Sequence, residues 1–348
     1  MLPERPETGA LPAPVRAYIA ALEAELARLR PDASAERIPA SVAEAAGPAQ
    51  LISISKAGFA KRTPRHIYGR QRRSGMGIFD LELRGSDMPE LLVLAGDDQQ
   101  LLLVTSRGRA YRLAVNLLPA TPVRGRGHVL AELVPLEADE NICCALVVPE
   151  AGYVAFASVE GFVRMLPAHL LGNQLRPGLE VLDVLLYGAP AAACIVEGGA
   201  DVLVATSGGR AIRFAGKLIG TLGVQSIRLE NGEQVVGLAA VTNESLLFVL
   251  GADGHGSVRP MNNFASNKAP GAGGKLLFKT KRLVSIACVH PDCDLFVISR
   301  LCKLIRFAAA EVPASNCVVQ GVDCMALRAD ETVALAASEG IQAVANGG

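Results

Sequence analysis

Six segments of this chain read alike when set one under another. They are SKAGFAKRT from Ser55, TSRGRAYRL from Thr105, SVEGFVRML from Ser158, TSGGRAIRF from Thr206, ADGHGSVRP from Ala252 and SRLCKLIRF from Ser299. Each follows a short apolar run, such as LLLV at 101–104 or LFVI at 295–298. A polar turn comes next, usually with Gly, and then a strand-like stretch carrying one arginine. Aligned on those arginines (Arg62, Arg112, Arg164, Arg213, Arg259 and Arg306), the units are separated by 50, 52, 49, 46 and 47 residues. A second Gly recurs about 15 residues further on in each unit, at Gly77, Gly127, Gly178, Gly223, Gly274 and Gly321. A period of this length, with about four short strands per unit, predicts a propeller-type all-β disc. Near-equal spacing favours a ring that closes on itself and leaves no exposed sheet edges. An open β-solenoid or a pair of sandwiches is the alternative. The Trp-Asp and Gly-His signatures of WD repeats are missing.

Composition bounds the rest. Half of the 348 residues are hydrophobic, so the chain is too apolar to be disordered. No apolar run approaches the roughly 18 residues of a membrane span, and the Pro-rich start has no apolar signal region. We therefore expect a cytoplasmic protein whose eight cysteines are reduced. Cys288, His290 and Cys293, with Cys302 beyond, invite a zinc reading. They contain no Cys-x-x-Cys pair, and Cys302 falls inside an apolar run, so no metal is expected. Gly271 to Lys275 resembles a phosphate loop, but Ala269 and Leu276 stand where a Walker motif needs Gly and Ser or Thr. The five histidines lie in different units without partners at informative spacing. Neither catalysis nor a cofactor is expected.

Charge is balanced overall, 34 Lys+Arg against 34 Asp+Glu, but it is segregated within each unit. Acid-free windows carry Lys56, Lys61, Arg62, Arg65, Arg70, Arg72 and Arg73; then Arg107, Arg109, Arg112, Arg124 and Arg126; then Arg210, Arg213, Lys217 and Arg228; then Arg259, Lys268, Lys275, Lys279, Lys281 and Arg282. Acids gather in the other half of each unit. In a repeat fold, equivalent positions share a surface, so this pattern predicts a basic band suited to phosphate backbones. An ordinary solvated surface is the plainer alternative.

The stretch from Lys56 to Gly77, KAGFAKRTPRHIYGRQRRSGMG, resembles the first blade of the C-terminal domain of the DNA gyrase A protein. Within it, Gln71-Arg72-Arg73-Ser74-Gly75-Met76-Gly77 is similar to the family's box, Gln-Arg-Arg-Gly-Gly-Lys-Gly, and Lys61 to Pro64 matches its Lys-Arg-Thr-Pro run. Ser74 replaces the first box glycine and Met76 replaces its lysine. The resemblance runs through all six units. It implies a six-bladed β-pinwheel, a propeller whose blades exchange strands, with duplex DNA wrapped on a basic outer rim. It also implies a non-enzymatic architectural or topoisomerase-accessory role, in this reading as a free-standing chain without a breakage-reunion domain. The DNA contacts expected on this basis are Lys61, Arg62, Arg65, Arg70, Gln71, Arg72, Arg73, Gly75, Gly77, Arg107, Arg109, Arg112, Arg124, Arg126, Arg210, Arg213, Arg259, Lys268, Lys275, Lys279 and Lys281. His66 and Tyr68 are further contacts or loop packing. The expected partners are double-stranded DNA, in a nucleoid-associated setting, and the proteins of gyrase or topoisomerase IV. The alternative is a protein-interaction propeller that has lost DNA wrapping.

The first 50 residues differ in kind. Val15, Ile19, Leu22, Leu26 and Leu29 place an apolar seam on a helix from Pro14 to Arg30, and an Ala/Ser/Pro-rich linker follows to Gln50. The helix packs on its own disc, self-associates weakly or docks to a topoisomerase. The expected organisation is residues 1–50 as helix and linker, 51–340 as the disc and 341–348 as a tail.

Overall fold

The computed structural model describes residues 12–15, 17–19 and 49–338. Backbone packing divides the chain into 1–44 and 45–348. In the first unit residues 13–15 and 17–19 are helical. The rest of the expected seam, Leu22, Leu26 and Leu29, lies outside the described residues, as does the tail 341–348.

The second unit is built from six four-stranded repeats. Repeat one contributes β1 (Ala49–Ser55), β2 (Phe59–Pro64), β3 (Ile78–Phe79) and β4 (Pro89–Gly96). Repeat two contributes β5 (Gln100–Thr105), β6 (Arg109–Ala114), β7 (His128–Val129) and β8 (Ile142–Val147). Repeat three has β9 (Tyr153–Ser158), β10 (Phe162–Pro167), β11 (Leu179–Glu180) and β12 (Pro190–Val196), with two four-residue helices, α1 (Ala168–Leu171) and α2 (Val184–Tyr187), in its connections. Repeat four has β13 (Asp201–Thr206), β14 (Arg210–Ala215), β15 (Val224–Gln225) and β16 (Val235–Val241). Repeat five has β17 (Leu246–Gly251), β18 (His255–Pro260), β19 (Lys275–Leu276) and β20 (Leu283–Val289). Repeat six has β21 (Asp294–Ser299), β22 (Lys303–Ala308), β23 (Val322–Asp323) and β24 (Thr332–Ala337).

Each blade is an antiparallel sheet that takes its outermost strand from the following repeat. The sheet orders β4-β1-β2-β7, β8-β5-β6-β11, β12-β9-β10-β15, β16-β13-β14-β19, β20-β17-β18-β23 and β24-β21-β22-β3 show the exchange all round the ring. The last of these returns to the beginning of the chain, where Phe79 and Ile78 of β3 pair with Lys303 and Leu304 of β22. The innermost strands β4, β8, β12, β16, β20 and β24 lie side by side in a circle, with β24 against β4. The fold is a closed six-bladed disc, as the repeat predicts, with the exchanged strands of the pinwheel that the family resemblance implies.

The apolar runs read from the sequence are the first strands of the repeats. Leu101 to Val104, for example, are fully buried. These strands read as continuous hydrophobic stretches because blades stack face to face and cover both sides, so no alternation is needed. The core clusters accordingly lie between successive blades; one joins Val202, Val204 and Phe214 of the fourth blade to Ala155, Ala157 and Val163 of the third. The turn between the first and second strands needs a left-handed residue. Gly58, Gly108, Gly161, Gly209 and Gly254 supply it at φ of +72 to +88°, and in repeat six Cys302 takes the same place at +62°.

Candidate nucleic-acid interface

The box loop, residues 71–77, joins β2 in the first blade to β3 in the sixth, so it sits on the seam where the ring closes. Its backbone is held there along its length. The Gln71 amide donates to the Arg306 carbonyl (2.7 Å), the Ser74 amide to the Cys324 carbonyl (3.0 Å), and the Ala326 amide to the Gly75 carbonyl (3.0 Å). Ser74 Oγ donates to the Asp323 carbonyl at 2.8 Å. Ser74 keeps the left-handed conformation of the glycine it replaces, at φ +66°. Gly77 is at φ +68°, and a Cβ there would lie 2.7 Å from the Leu304 carbonyl oxygen, so glycine is required for β3 to enter the blade. Arg73 is drawn inward, its amide to Glu311 Oε2 (3.0 Å) and its Nη1 to the Asp323 carbonyl (3.1 Å). Arg72 is exposed and its side chain has no partner among the described residues. Met76, at the position of the family's lysine, is 54 % exposed.

Several cations expected on the interface are instead consumed by the fold. Lys61 is completely buried. Its Nζ pairs with the Asp80 carboxylate and donates to the Asp80 carbonyl at 2.7 Å. Tyr68 is also buried and donates to Asp80 Oδ1 at 2.6 Å, so it packs and is no DNA contact. Arg62 is mostly buried and pairs with Asp97, while Thr63 Oγ1 donates to the Thr121 carbonyl at 2.7 Å. The Lys-Arg-Thr-Pro run is therefore a blade-joining motif. Arg213, 4 % exposed, binds Asp201 (2.8 Å) and donates to the Met261 and Phe264 carbonyls of the next blade at 2.8 and 3.1 Å. Arg306 does the same across the ring closure, pairing with Asp294 and donating to the Tyr68 carbonyl at 2.9 Å.

Arg164 and Arg259 are not equivalent to these. Arg62, Arg112, Arg213 and Arg306 stand four residues after the turn residue in left-handed conformation. Arg164 stands three after it and Arg259 five after it. In a strand an odd offset reverses the side chain's face, which is why Arg259 is buried without the partners of Arg213.

A second group is tied by ion pairs nearer the surface. Arg107 and Arg109 share Glu137, which the hydrogen bond from Arg109, and then the charges of both, hold below the usual carboxylate range. Arg210 pairs with Glu233 and Glu230 and donates to the Gly273 carbonyl. Arg70 pairs with Asp294 (2.8 Å), and Arg112 donates to Asn173 Oδ1 at 2.9 Å. Arg65 is half-buried and also engaged.

What remains exposed, with no acidic partner among the described residues, is Arg72, Arg124, Arg126, Lys268, Lys275, Lys279 and Lys281. Arg126 is exposed, with its guanidinium carbon 4.9 Å from the centre of the Phe59 ring. These residues lie in, or just after, the loops that lead into outermost strands, so the strand exchange carries them to the perimeter. Lys217 and Arg228 share these properties and join the set; the sequence reading places them in an acid-free window but not among the expected contacts. The distribution is uneven. Repeats one, two and five are basic, whereas residues 313–321 of repeat six and 219–225 of repeat four hold no cation.

No group of three or more His, Cys, Asp or Glu suited to a metal occurs among the described residues. Nor does any described helix have the length and apolarity to cross a membrane. The centre of the ring holds a cavity of about 470 Å³ lined by the inner strands, with Glu90 and Cys143 at its wall.

Comparison with known proteins agrees with this architecture. A family described as the DNA gyrase C-terminal domain, beta-propeller, matches residues 49–87, 99–127 and 200–242. The DNA gyrase A protein of Ureaplasma parvum is 28 % identical over 296 residues, and that of Mycoplasma genitalium is 26 % identical over 291. Both alignments cover 81 % of this chain and 35 % of the relative, so the chain spans about a third of the length of these relatives. Among solved structures, that of the DNA gyrase A C-terminal domain superposes with a TM-score of 0.74 at 20 % identity, over 84 % of this chain and all of that one. The C-terminal domain of DNA topoisomerase IV gives 0.57 at 16 % identity, over 84 % and 93 %.

Proposed function

We propose that this chain, a β-pinwheel of the gyrase A C-terminal type, binds duplex DNA without reading its sequence and bends it along part of its perimeter. The observation that carries the reading is the sorting of the cations. Apart from Arg259, those inside the blades are tied to acids and carbonyls, while Arg72 and the other exposed cations in or just after the loops before the outer strands face solvent without an acidic partner. Such a set suits phosphates, which give affinity and position without base information. Among the described residues of the disc no helix exceeds four residues, which supports a backbone-directed mode over one that enters a major groove.

Bending 20–30 base pairs by 40–90° costs on the order of 1–6 kcal/mol, so contacts must be made at both ends of the bent segment. The unpaired cations of repeat five on one side, and of repeats one and two on the other, provide such ends. A bend constrains supercoils, and only strand passage turns that into a lasting change of topology. We assign strand passage to a gyrase- or topoisomerase IV-type enzyme that this pinwheel serves, and no cleavage to the pinwheel. The test is a topology assay. Relaxed plasmid is incubated with the protein, treated with a nicking-closing topoisomerase and deproteinised. A shift in linking number that grows with protein concentration is expected. An unchanged distribution at saturating protein overturns the bending proposal.

A further inference from the structure

Arg259 holds a position that no other repeat gives to a charged residue. Five residues after the turn residue, the other repeats carry Thr63, Leu113, Leu166, Phe214 and Phe307, and all five are buried. Arg259 is 9 % exposed. Its Nε and Nη1 are sealed from solvent and make no hydrogen bond, and no described residue accepts from its guanidinium. Burying an uncompensated charge is strongly unfavourable, and an arginine here persists most simply if an anion completes it.

The surroundings suit one. Val258 accepts a hydrogen bond from the Ser315 amide at 2.9 Å, so the 313–321 loop runs along the edge of β18 beside Arg259. That loop, PASNCVVQG, contains no acid to act as an internal counter-charge. Among the described residues the ionisable neighbour acting on Arg259 is the Cys317 thiol. The loop also fills the place on the perimeter where repeat six lacks cations of its own, between the exposed lysines of repeat five and Arg72.

We infer that Arg259 is the floor of a phosphoryl-anion subsite between β18 and the 313–321 loop. A guanidinium pairs strongly with a phosphoryl oxygen and stays charged where a lysine would lose its proton. A backbone phosphate of bound duplex and a free phosphate ion present the same chemistry, and the experiment separates them. The free-anion arm is independent of the proposed DNA function; the duplex arm rests on it.

Thermal unfolding is followed in inorganic phosphate and in chloride at matched ionic strength, for the parent, Arg259→Met and Arg259→Leu. Met keeps the aliphatic stem, and Leu is the residue found at this place in repeats two and three. The parent's midpoint should rise with phosphate, its folding constant increasing about a hundredfold when phosphate reaches a hundred times its Kd. Both variants should lose that response and match or exceed the parent's midpoint in chloride. Duplex binding then identifies the source. If a DNA phosphate fills the site, Arg259→Met lowers the log–log salt slope by about one. If free phosphate alone fills it, the slope is unchanged while the phosphate response is still lost. Equal phosphate responses in parent and variants, or variants less stable than the parent in chloride, overturn the inference. Failure of all three proteins to bind duplex, with the phosphate response intact, counts against the DNA reading alone.

Discussion

Replacing Lys61 by Met should open the ring at its seam. Lys61 lies on β2 of the first blade, and Asp80 directly follows β3, the strand inserted into the sixth blade. The pair is entirely buried, and the carboxylate also accepts from Tyr68 OH at 2.6 Å and from Ser53 Oγ at 3.2 Å. Removing one partner of a buried pair leaves the other charge uncompensated, at a cost of about 3–5 kcal/mol. The two remaining hydrogen bonds shield Asp80 somewhat, which places the expectation for Lys61→Met toward 3 kcal/mol. Adding Asp80→Leu removes that charge. It leaves the Tyr68 and Ser53 hydroxyls without their acceptor, at about 1–3 kcal/mol each. The double variant should therefore be less destabilised than the sum of the singles by more than 1 kcal/mol. Urea unfolding measures all three. Hydrogen exchange should rise first at Ile78 to Asp80 in Lys61→Met, because β3 has only two residue pairs and depends on the hydrogen bonds of Asp80, to the Cys302 carbonyl, from the Arg124 amide and with Lys61. A variant within 1 kcal/mol of the parent, or strictly additive energies, would refute the view that the pair locks the closure.

Gly209→Ala should cost about 2 kcal/mol or more in the same denaturation assay. It places a Cβ 2.3 Å from the Phe278 carbonyl oxygen at φ +79°; a loss below 0.5 kcal/mol would contradict the turn assignment. Stability should fall as pH rises above about 9. Burial raises the thiol of Cys144 and lifts that of Cys324 to about 12 from an ordinary 9.0, and burial raises the Tyr68 phenol as well. Groups with raised folded pKa contribute stability that is complete below their unfolded pKa and lost above it, by up to about 1.4 kcal/mol per group per pH unit. Urea midpoints flat from pH 8 to 10.5 would contradict this. Arg72→Ala with Arg124→Ala should abolish the linking-number shift while leaving weak duplex binding. Arg107→Ala, whose charge is already spent on Glu137, should change the shift little.

The ring was legible from the sequence because spacing alone counts blades, and because both faces of each first strand are buried. The exchange of strands was legible only through the family resemblance; β3 finds its partner more than two hundred residues away. The same distance hid the fate of many cations. Arg70 meets Asp294, 224 residues on, and Lys61 meets Asp80 through a turn that no local pattern specifies. An acid-free window records charge along the chain and not the face from which it projects. Arg164 and Arg259 show the error most clearly. Aligning repeats on their arginines instead of on the left-handed turn residue shifts two of them by one position, which in a strand exchanges inside for outside. The box was found through the family resemblance, and the structure gives the reason for its last glycine, the close backbone approach at Gly77. Arg73 nevertheless ties the loop to β23, leaving Arg72 as the outward cation of the pair.

The salt dependence of duplex binding tests the central claim most directly. Seven of the exposed cations without an acidic partner among the described residues, Arg72, Arg124, Arg126, Lys268, Lys275, Lys279 and Lys281, belong to repeats one, two and five, the arc proposed to hold the bent duplex. If each neutralises one phosphate, log K should fall against log salt with a slope of about −6, which is a loss of roughly 10³–10⁴ between 50 and 200 mM. Affinity should be the same for duplexes of unrelated sequence. A slope near −6 with no sequence preference is the result expected of a phosphate-binding perimeter. No binding at 50 mM salt, or binding indifferent to salt, would contradict it.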